Sequence, residues 1–351
     1  MSDTTATTPI TAVVVVLPGR VEPHGLTISR RELPPPRPGQ ALVRVEATGV
    51  SFAEQQMRRG KYYDQPPFPF TPGYDVVGEV TAVGADGDAA LLGQRVAALT
   101  KVGGWSSHLV LETADLVPVP TGLTAAEAET FVVNGITAWQ MLHRIAKAHA
   151  GQTILVHGAN GGVGSTLVQL ARVAGIRVIG TASPRNAAAV QALGAIPVDY
   201  RGDVPRQVRA LAPGGVDAVF DHLGGRSIVD SFGLLTTGGT LVAYGSASTK
   251  DEDGNSRLPV LKLFAQLMWW NMLPNKRSAH FYNIWSGKRR RARFRSRLAE
   301  DLEAVLDLAA RGELRAQIAA RFPLTDASRA LALAESRTVT GKVVIVPEQL
   351  P

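Results

Sequence analysis

The chain has 351 residues, 45% hydrophobic and 19% charged, a globular balance whose length suits two domains better than one core. It has no cysteine, which excludes disulfides and thiolate-bound zinc, and its seven histidines show no metal-ligand spacing. The formal net charge of +7 is largely local, because Lys288–Arg297 (KRRRARFRSR) holds seven basic residues and no acid.

The start, MSDTTATTPITA, lacks the basic and apolar runs of a signal peptide, and no apolar stretch reaches the roughly 20 residues that span a bilayer. A soluble cytoplasmic protein without a bound metal is therefore expected. The first third reads as β-rich. Thr11–Leu17 is β-branched, and Ala41–Val50 and Asp75–Val83 alternate apolar with polar residues. Clusters such as Pro34-Pro35-Pro36 and Pro72-Gly73 separate them, as in a barrel-like fold. From about residue 121 the texture changes. Thr121–Ala126 offers a helix start, and a helical pattern runs over Thr137–Ala150. Strands are then predicted at Thr153–His157, Arg177–Gly180, Ile196–Val198, Ala218–Phe220 and Thr240–Tyr244, with helices at Gly164–Ala174 and Asn186–Leu193. This alternation predicts a parallel sheet covered on both faces. Residues 250–297 break the rhythm, Leu298–Gly312 reads as a helix, and Gly341–Pro347 reads as a last strand.

Between the strand at Leu155 and the following helix the sequence is HGANGGVG, with Gly158, Gly161 and Gly164 at three-residue spacing. A turn without Cβ atoms lets the backbone approach a pyrophosphate, and the helix start offers it unpaired N–H groups. Gly158, Asn160, Gly161, Gly162, Val163 and Gly164 are thus candidate cofactor contacts. After the second strand comes Gly180-Thr181-Ala182-Ser183-Pro184-Arg185-Asn186, with no acid to bind a ribose 2′-OH. Ser183 and Arg185 instead suit a 2′-phosphate, which predicts NADPH.

The β-rich first part, the phosphate turn and the return strand together resemble the medium-chain dehydrogenase/reductase superfamily, most closely its zinc-free quinone oxidoreductase (zeta-crystallin-like) branch. GVSFAEQQMRRGKY (49–62), PFTPGYDVVGEVTAVG (69–84), NGITAWQML (134–142), GTASPRN (180–186), VDYR (198–201), FDHLGG (220–225), VAYGS (242–246) and TGKVVI (340–345) carry the resemblance, together with the glycine turn. It implies an α/β protein with two domains. A β-rich GroES-like catalytic domain would take in 1–133 and 298–351, and a Rossmann-type parallel-sheet domain 134–297, with 250–297 atypical. Tyr74 and Asp75 stand where zinc-dependent members carry a His-Glu pair. The resemblance further implies that Thr137 borders the nicotinamide, that Tyr200 lies near the adenosine ribose or its phosphate, and that Gly245 and Ser246 end a strand at the ligand edge. Lys342 is a further candidate cofactor contact, and Tyr62 matches an active-site tyrosine. Ser51 replaces the branch's usual Asn and Glu54 its usual Asp. Trp105 stands where a smaller aromatic is common.

The reading that follows is an NADPH-dependent, zinc-independent reductase of an apolar quinone or α,β-unsaturated ketone, expected as a homodimer, with Tyr62, Ser51 and Thr137 as candidate catalytic residues. Two alternatives stay open. One is a non-redox tailoring enzyme on the same scaffold, and the other is RNA or membrane-surface binding through 288–297. The aromatic stretch Leu258–Trp285, with Met268, Trp269, Trp270 and Met272, reads as a lid, a dimer contact, a membrane patch or plain core.

Overall fold

A computed structural model describes residues 10–85, 87–245, 257–336 and 338–348. The chain divides into two compact units. One runs up to Val133 and adds Arg295–Arg311 and the chain from Ala316; the other is Asn134–Phe294 with Gly312–Arg315.

In the first unit β1 (Ile10–Val16) pairs antiparallel with β2 (Thr27–Leu33). β3 (Gln40–Val50) leads into the short helix α1 (Phe52–Arg58), and β4 (Asp75–Val83), β5 (Arg95–Leu99), β6 (His108–Glu112) and β7 (Val117–Pro118) follow. In β3 the alternation noted in the sequence buries Ala41, Val43, Val45 and Ala47 on one face. Helix α2 (Ala125–Trp139) then runs on into a π-helical turn at Gln140–Ile145 and ends before Lys147, whose φ is 50°. The helix begins within the start offered by Thr121–Ala126 and runs unbroken into the pattern over Thr137–Ala150. Its first turns are rich in alanine and glutamate, good helix formers that carry little periodicity.

The second unit is built on β8 (Thr153–Val156), α3 (Gly162–Val173), β9 (Arg177–Ala182), α4 (Ala187–Ala192), β10 (Ala195–Asp199), α5 (Val204–Leu211), β11 (Val216–Asp221), α6 (Arg226–Gly233), β12 (Leu235–Ala243), α7 (Arg257–Met272) and β13 (Ser278–Phe281). Its six strands are parallel, in the order β10-β9-β8-β11-β12-β13. From β8 the chain steps outward on one side to β9 and β10, then returns to the other side at β11. The C-terminal ends of β8 and β11 therefore flank a topological switch point, where sheets of this kind bind ligands. Leu155, Ile179, Val219 and Leu241 are buried on adjacent strands and form its core.

Residues 250–256 lie outside the described residues, and 257–297 continue the rhythm rather than break it, since α7 and β13 supply another helix and the sixth strand. Their period is masked in the sequence because α7 carries apolar residues on both faces. Trp270 is buried and stacks on Phe232 with ring centroids 4.3 Å apart, while Met268, Trp269 and Met272 are exposed. Core packing thus accounts for Trp270. The basic run is also partly helical, for α8 spans Arg291–Ala310 and not merely the stretch from Leu298. Arginine is a good helix former, so the charge does not stop the helix.

The chain returns to the first unit through β14 (Ile318–Pro323), α9 (Ala327–Glu335) and β15 (Lys342–Val346), completing a seven-stranded sheet with the path β14-β15-β3-β4-β5-β7, in which β6 pairs with β3. Three elements of this unit meet at a buried ion cluster. The Lys342 ammonium lies 2.7 Å from Asp75 Oδ2 and 2.5 Å from Glu129 Oε1, and Asp75 Oδ2 also accepts the Val133 N–H at 3.0 Å. Gly49 makes room for it, because a Cβ there would lie 2.2 Å from Lys342 Cε. Burial pushes the Glu129 carboxyl well above its ordinary value, against the pull of Lys342. Removing the ammonium would leave acidic groups facing one another without water. Lys342→Met should therefore lower the unfolding free energy by about 3–5 kcal/mol in urea denaturation; an unchanged midpoint would contradict the clamp.

Candidate functional site

The turn after β8 owes its shape to its glycines. Gly158 has φ of 64°, in the left-handed region, and a Cβ on it would lie 2.5 Å from His222 Cε1. Gly164 approaches so closely that its Cβ would lie 2.1 Å from the Gly158 carbonyl oxygen. Gly158 O accepts the Gly161 N–H at 2.9 Å, which closes the turn. Helix α3 starts at Gly162 with Gly161 as its N-cap and no side-chain cap. The first-turn N–H groups of Gly162, Val163 and Gly164 thus depend on an outside acceptor, and the helix dipole adds a positive end. Asn160, Gly161, Gly162 and Val163 are half-buried along the turn.

The turn is tied to the strand beside it. Thr181, near the end of β9, accepts the Gly158 N–H on Oγ1 at 3.0 Å, and its carbonyl accepts the Ala159 N–H at 3.0 Å. Just past β9, Ser183 is buried, and its Oγ makes no hydrogen bond among the described residues. A hydroxyl in that condition suits an acceptor supplied from outside the chain. Arg185 is exposed two residues on, and Tyr200, after β10, is 55% exposed. Gly245 follows β12 with its Cα against the His222 carbonyl, where a Cβ would lie 2.8 Å from the oxygen. Thr137 is buried near the end of α2. Ser246 lies outside the described residues. The glycine cradle, the uncapped helix and the buried hydroxyl fit a dinucleotide with a phosphate beyond the second strand.

Beneath the turn lies a polar network that the sequence reading passed over. Asp221, at the end of β11, is fully buried and satisfied four times. It accepts the N–H groups of Leu223 (2.8 Å) and Gly224 (3.1 Å) and the hydroxyls of Ser227 (2.6 Å) and Ser231 (2.8 Å). Because Ser231 gives its proton to Asp221, its oxygen accepts from His157 Nε2 at 3.0 Å. His157 Nδ1 then faces Thr181 Oγ1 at 3.5 Å as an acceptor. The chain of contacts runs from the Gly158 amide through Thr181, His157 and Ser231 to Asp221. Its signal in the sequence is FDHLGG, an aspartate at a strand end ahead of paired glycines, where it anchors the following loop.

The remaining candidates belong to the first unit. Ser51 caps α1, with its Oγ accepting the Ala53 N–H at 3.1 Å and its own N–H donating to Glu54 Oε2 at 2.9 Å. Glu54 is buried, its Oε1 accepts the Tyr74 N–H at 2.7 Å, and burial raises its carboxyl above the ordinary range, with nearby Asp75 acting in the same direction. The Tyr62 and Tyr74 hydroxyls are 2.7 Å apart, and burial raises the Tyr62 phenol so that it holds its proton more tightly. Lys342 is the ammonium of the ion cluster already described. Trp105 is fully buried and donates to the Gly49 carbonyl at 2.9 Å, so it is a core residue of this unit. No group of three or more His, Asp or Glu residues is arranged to hold a metal ion among the described residues, and no described helix is long and apolar enough to cross a membrane.

The comparisons with known proteins agree with this architecture. An alcohol dehydrogenase GroES-like domain model matches residues 37–121, and a zinc-binding dehydrogenase model matches 193–345. The human synaptic vesicle membrane protein VAT-1 homolog is 31% identical over 331 residues, covering 91% of this chain and 82% of that protein. Among solved structures, a quinone oxidoreductase of Pseudomonas syringae pv. Tomato superposes with a TM-score of 0.82 at 28% identity, covering 96% of this chain and 100% of that one. A mycobacterial protein solved in complex with NADPH superposes with a TM-score of 0.80 at 27% identity, covering 96% and 100%. The chain belongs to the medium-chain dehydrogenase/reductase superfamily, in its zinc-free quinone oxidoreductase-like branch. It is an oxidoreductase of that superfamily.

The network under the turn makes stability depend on pH in a set direction. Burial lowers the pKa of His157 below its ordinary 6.5, although Asp221 pulls it the other way. The unfolded chain takes up a proton near pH 6.5 that the folded chain refuses, so stability falls as pH drops below about 6.5. His157→Gln should flatten that part of a thermal-midpoint profile measured between about pH 7 and 5; a profile identical to the parent's would remove His157 from the account.

Proposed function

We propose that the protein is an NADPH-dependent reductase that works without zinc on an apolar quinone or α,β-unsaturated ketone. When bound, NADPH supplies a hydride. The observation that carries the cofactor assignment is the buried, unpartnered Ser183 hydroxyl immediately past β9, on a strand end that has no acid to bind a ribose diol. In this reading the α3 N–H groups of Gly162, Val163 and Gly164 hold the pyrophosphate, Ser183 and Arg185 hold the 2′-phosphate, and Tyr200 lies alongside the adenosine. Thr137 and Gly245 border the nicotinamide. The scaffold's share of the rate is orientation of the reactants. The absence of cysteine, and so of a thiolate-bound zinc, supports chemistry in which a conjugated substrate itself takes up the developing charge.

Fluorescence titration should give an affinity for NADPH at least about tenfold above that for NADH. Ser183→Ala and Arg185→Ala should each loosen NADPH by roughly tenfold or more and leave NADH unchanged, as expected for lost charge-assisted hydrogen bonds. Equal affinities would remove the 2′-phosphate site. A panel of quinones and enones should oxidise NADPH at a rate set by substrate. Tight binding of NADPH with no turnover on any of them would remove the reductase reading, and conversion of a substrate without NADPH would replace it with non-redox tailoring on the same scaffold.

A further inference from the structure

The crevice of the second unit opens where β8 and β11 part. Their ladder runs to Val156 opposite Phe220 and ends with the His157 N–H on the Phe220 carbonyl at 3.1 Å. Beyond that bond one chain turns through Gly158 and the other runs on to His222, whose side chain lies across the gap. A Cβ on Gly158 would stand 2.5 Å from His222 Cε1, 3.2 Å from Nε2 and 3.4 Å from Nδ1, so the imidazole is laid over the Gly158 Cα. On the other side β12 ends against the same residue. The Tyr244 N–H donates to the Asp221 carbonyl at 2.9 Å, and the Tyr244 and His222 rings are 5.7 Å apart at their centroids. A Cβ on Gly245 would lie 2.8 Å from the His222 carbonyl oxygen. The ends of β8, β11 and β12 thus meet at one residue, and β8 and β12 carry glycine where a side chain would collide with it.

His157 and His222 both stand at this edge, and they differ. His157 is buried, with Nε2 on Ser231 and Nδ1 facing Thr181, and belongs to the support under the turn. His222 is half-buried at the open end of the sheet. A dinucleotide with its adenosine past β9, at Ser183 and Arg185, and its pyrophosphate at the start of α3 has its other half across the crevice, toward β11 and β12. On that path, between Gly158 and Gly245, lies His222. The part of the cofactor that follows the pyrophosphate is the nicotinamide ribose, whose hydroxyls both donate and accept hydrogen bonds. An imidazole can answer either role from a ring nitrogen.

We propose that His222 holds the nicotinamide ribose of bound NADPH through a ring nitrogen and so fixes the direction in which the nicotinamide leaves the pyrophosphate. The inference rests on NADPH lying along the Gly158–Gly164 turn. NADPH and NADH share this ribose, so His222 serves both, whereas Ser183 and Arg185 meet only the 2′-phosphate.

NMR of the full chain labelled at histidine reads this contact without turnover. The His222 Hε1 signal is assigned by its loss in His222→Phe, a substitution that keeps a flat ring against Gly158 and Tyr244 and removes both nitrogens. With NADPH bound, Hε1 should show NOEs to the nicotinamide ribose and none to the adenosine. With 2′-AMP, which carries only the adenosine and its 2′-phosphate, it should show none. NADPH bound without a nicotinamide-ribose NOE at Hε1 overturns the proposal. His222→Phe should loosen NADPH and NADH alike by about tenfold and leave 2′-AMP within about twofold of the parent; an NADPH Kd within about twofold of the parent overturns it as well. If His222→Phe does not fold, His222→Gln supplies the assignment and the NOE decides alone. A parent that binds neither dinucleotide removes the cofactor reading itself, whereas bound NADPH that does not touch Hε1 removes only the role of His222.

Discussion

The second unit depends on how closely two glycines approach one another. Gly164 begins the buried part of α3 with its Cα against the Gly158 carbonyl, leaving no space for any side chain. That contact brings α3 in directly behind β8 and aims its uncapped N-terminus at the switch point between β8 and β11. Parallel strands, buried on both faces, can offer a ligand little except their ends. What makes this end a site is that backbone N–H groups, not side chains, face outward there.

Such a turn is held by what lies under it. The Gly158 amide is fixed by Thr181, Thr181 faces His157, and His157 leans through Ser231 on Asp221, whose own oxygens are filled by the loop after β11. Each donor in the series has one acceptor, and the series assigns His157 its neutral tautomer with hydrogen on Nε2. The first unit solves a related problem with charges. One ammonium is set among buried carboxyl groups on β4 and α2, and burial raises the carboxyl of Glu129 while Lys342 pulls it down. Burial thus raises the carboxyls of Glu54 and Glu129 above their ordinary range, against the pull of Lys342.

Much of this was legible in the residues. The glycine spacing between an apolar strand and an amphipathic helix defines the turn, and the alternation in Ala41–Val50 and Asp75–Val83 defines β3 and β4. The missing acid after β9 is visible without coordinates. α7 and β13 were not legible, because Trp270 is buried against Phe232 while its neighbour Trp269 is 62% exposed, so no period survives. The start of α8 was obscured by its arginines. His157 and Asp221 are 64 residues apart in sequence and meet only through strand order, which no local pattern records. Lys342, Asp75 and Glu129 are a similar case. The motif containing Lys342 marks a return strand, yet its role as an internal ion partner appears only once β15 lies beside β3.

The account's central claim is that the Gly158–Gly164 turn and the strand end at Ser183 together hold a phosphorylated dinucleotide. Hydrogen exchange read residue by residue, with and without NADPH, tests it most directly. The account predicts slowed exchange at the amides of Gly161, Gly162, Val163 and Gly164 and around Ser183–Arg185, with NADH protecting the turn but not the second stretch. NADPH binding that leaves the amides of Gly161–Gly164 unchanged would contradict it.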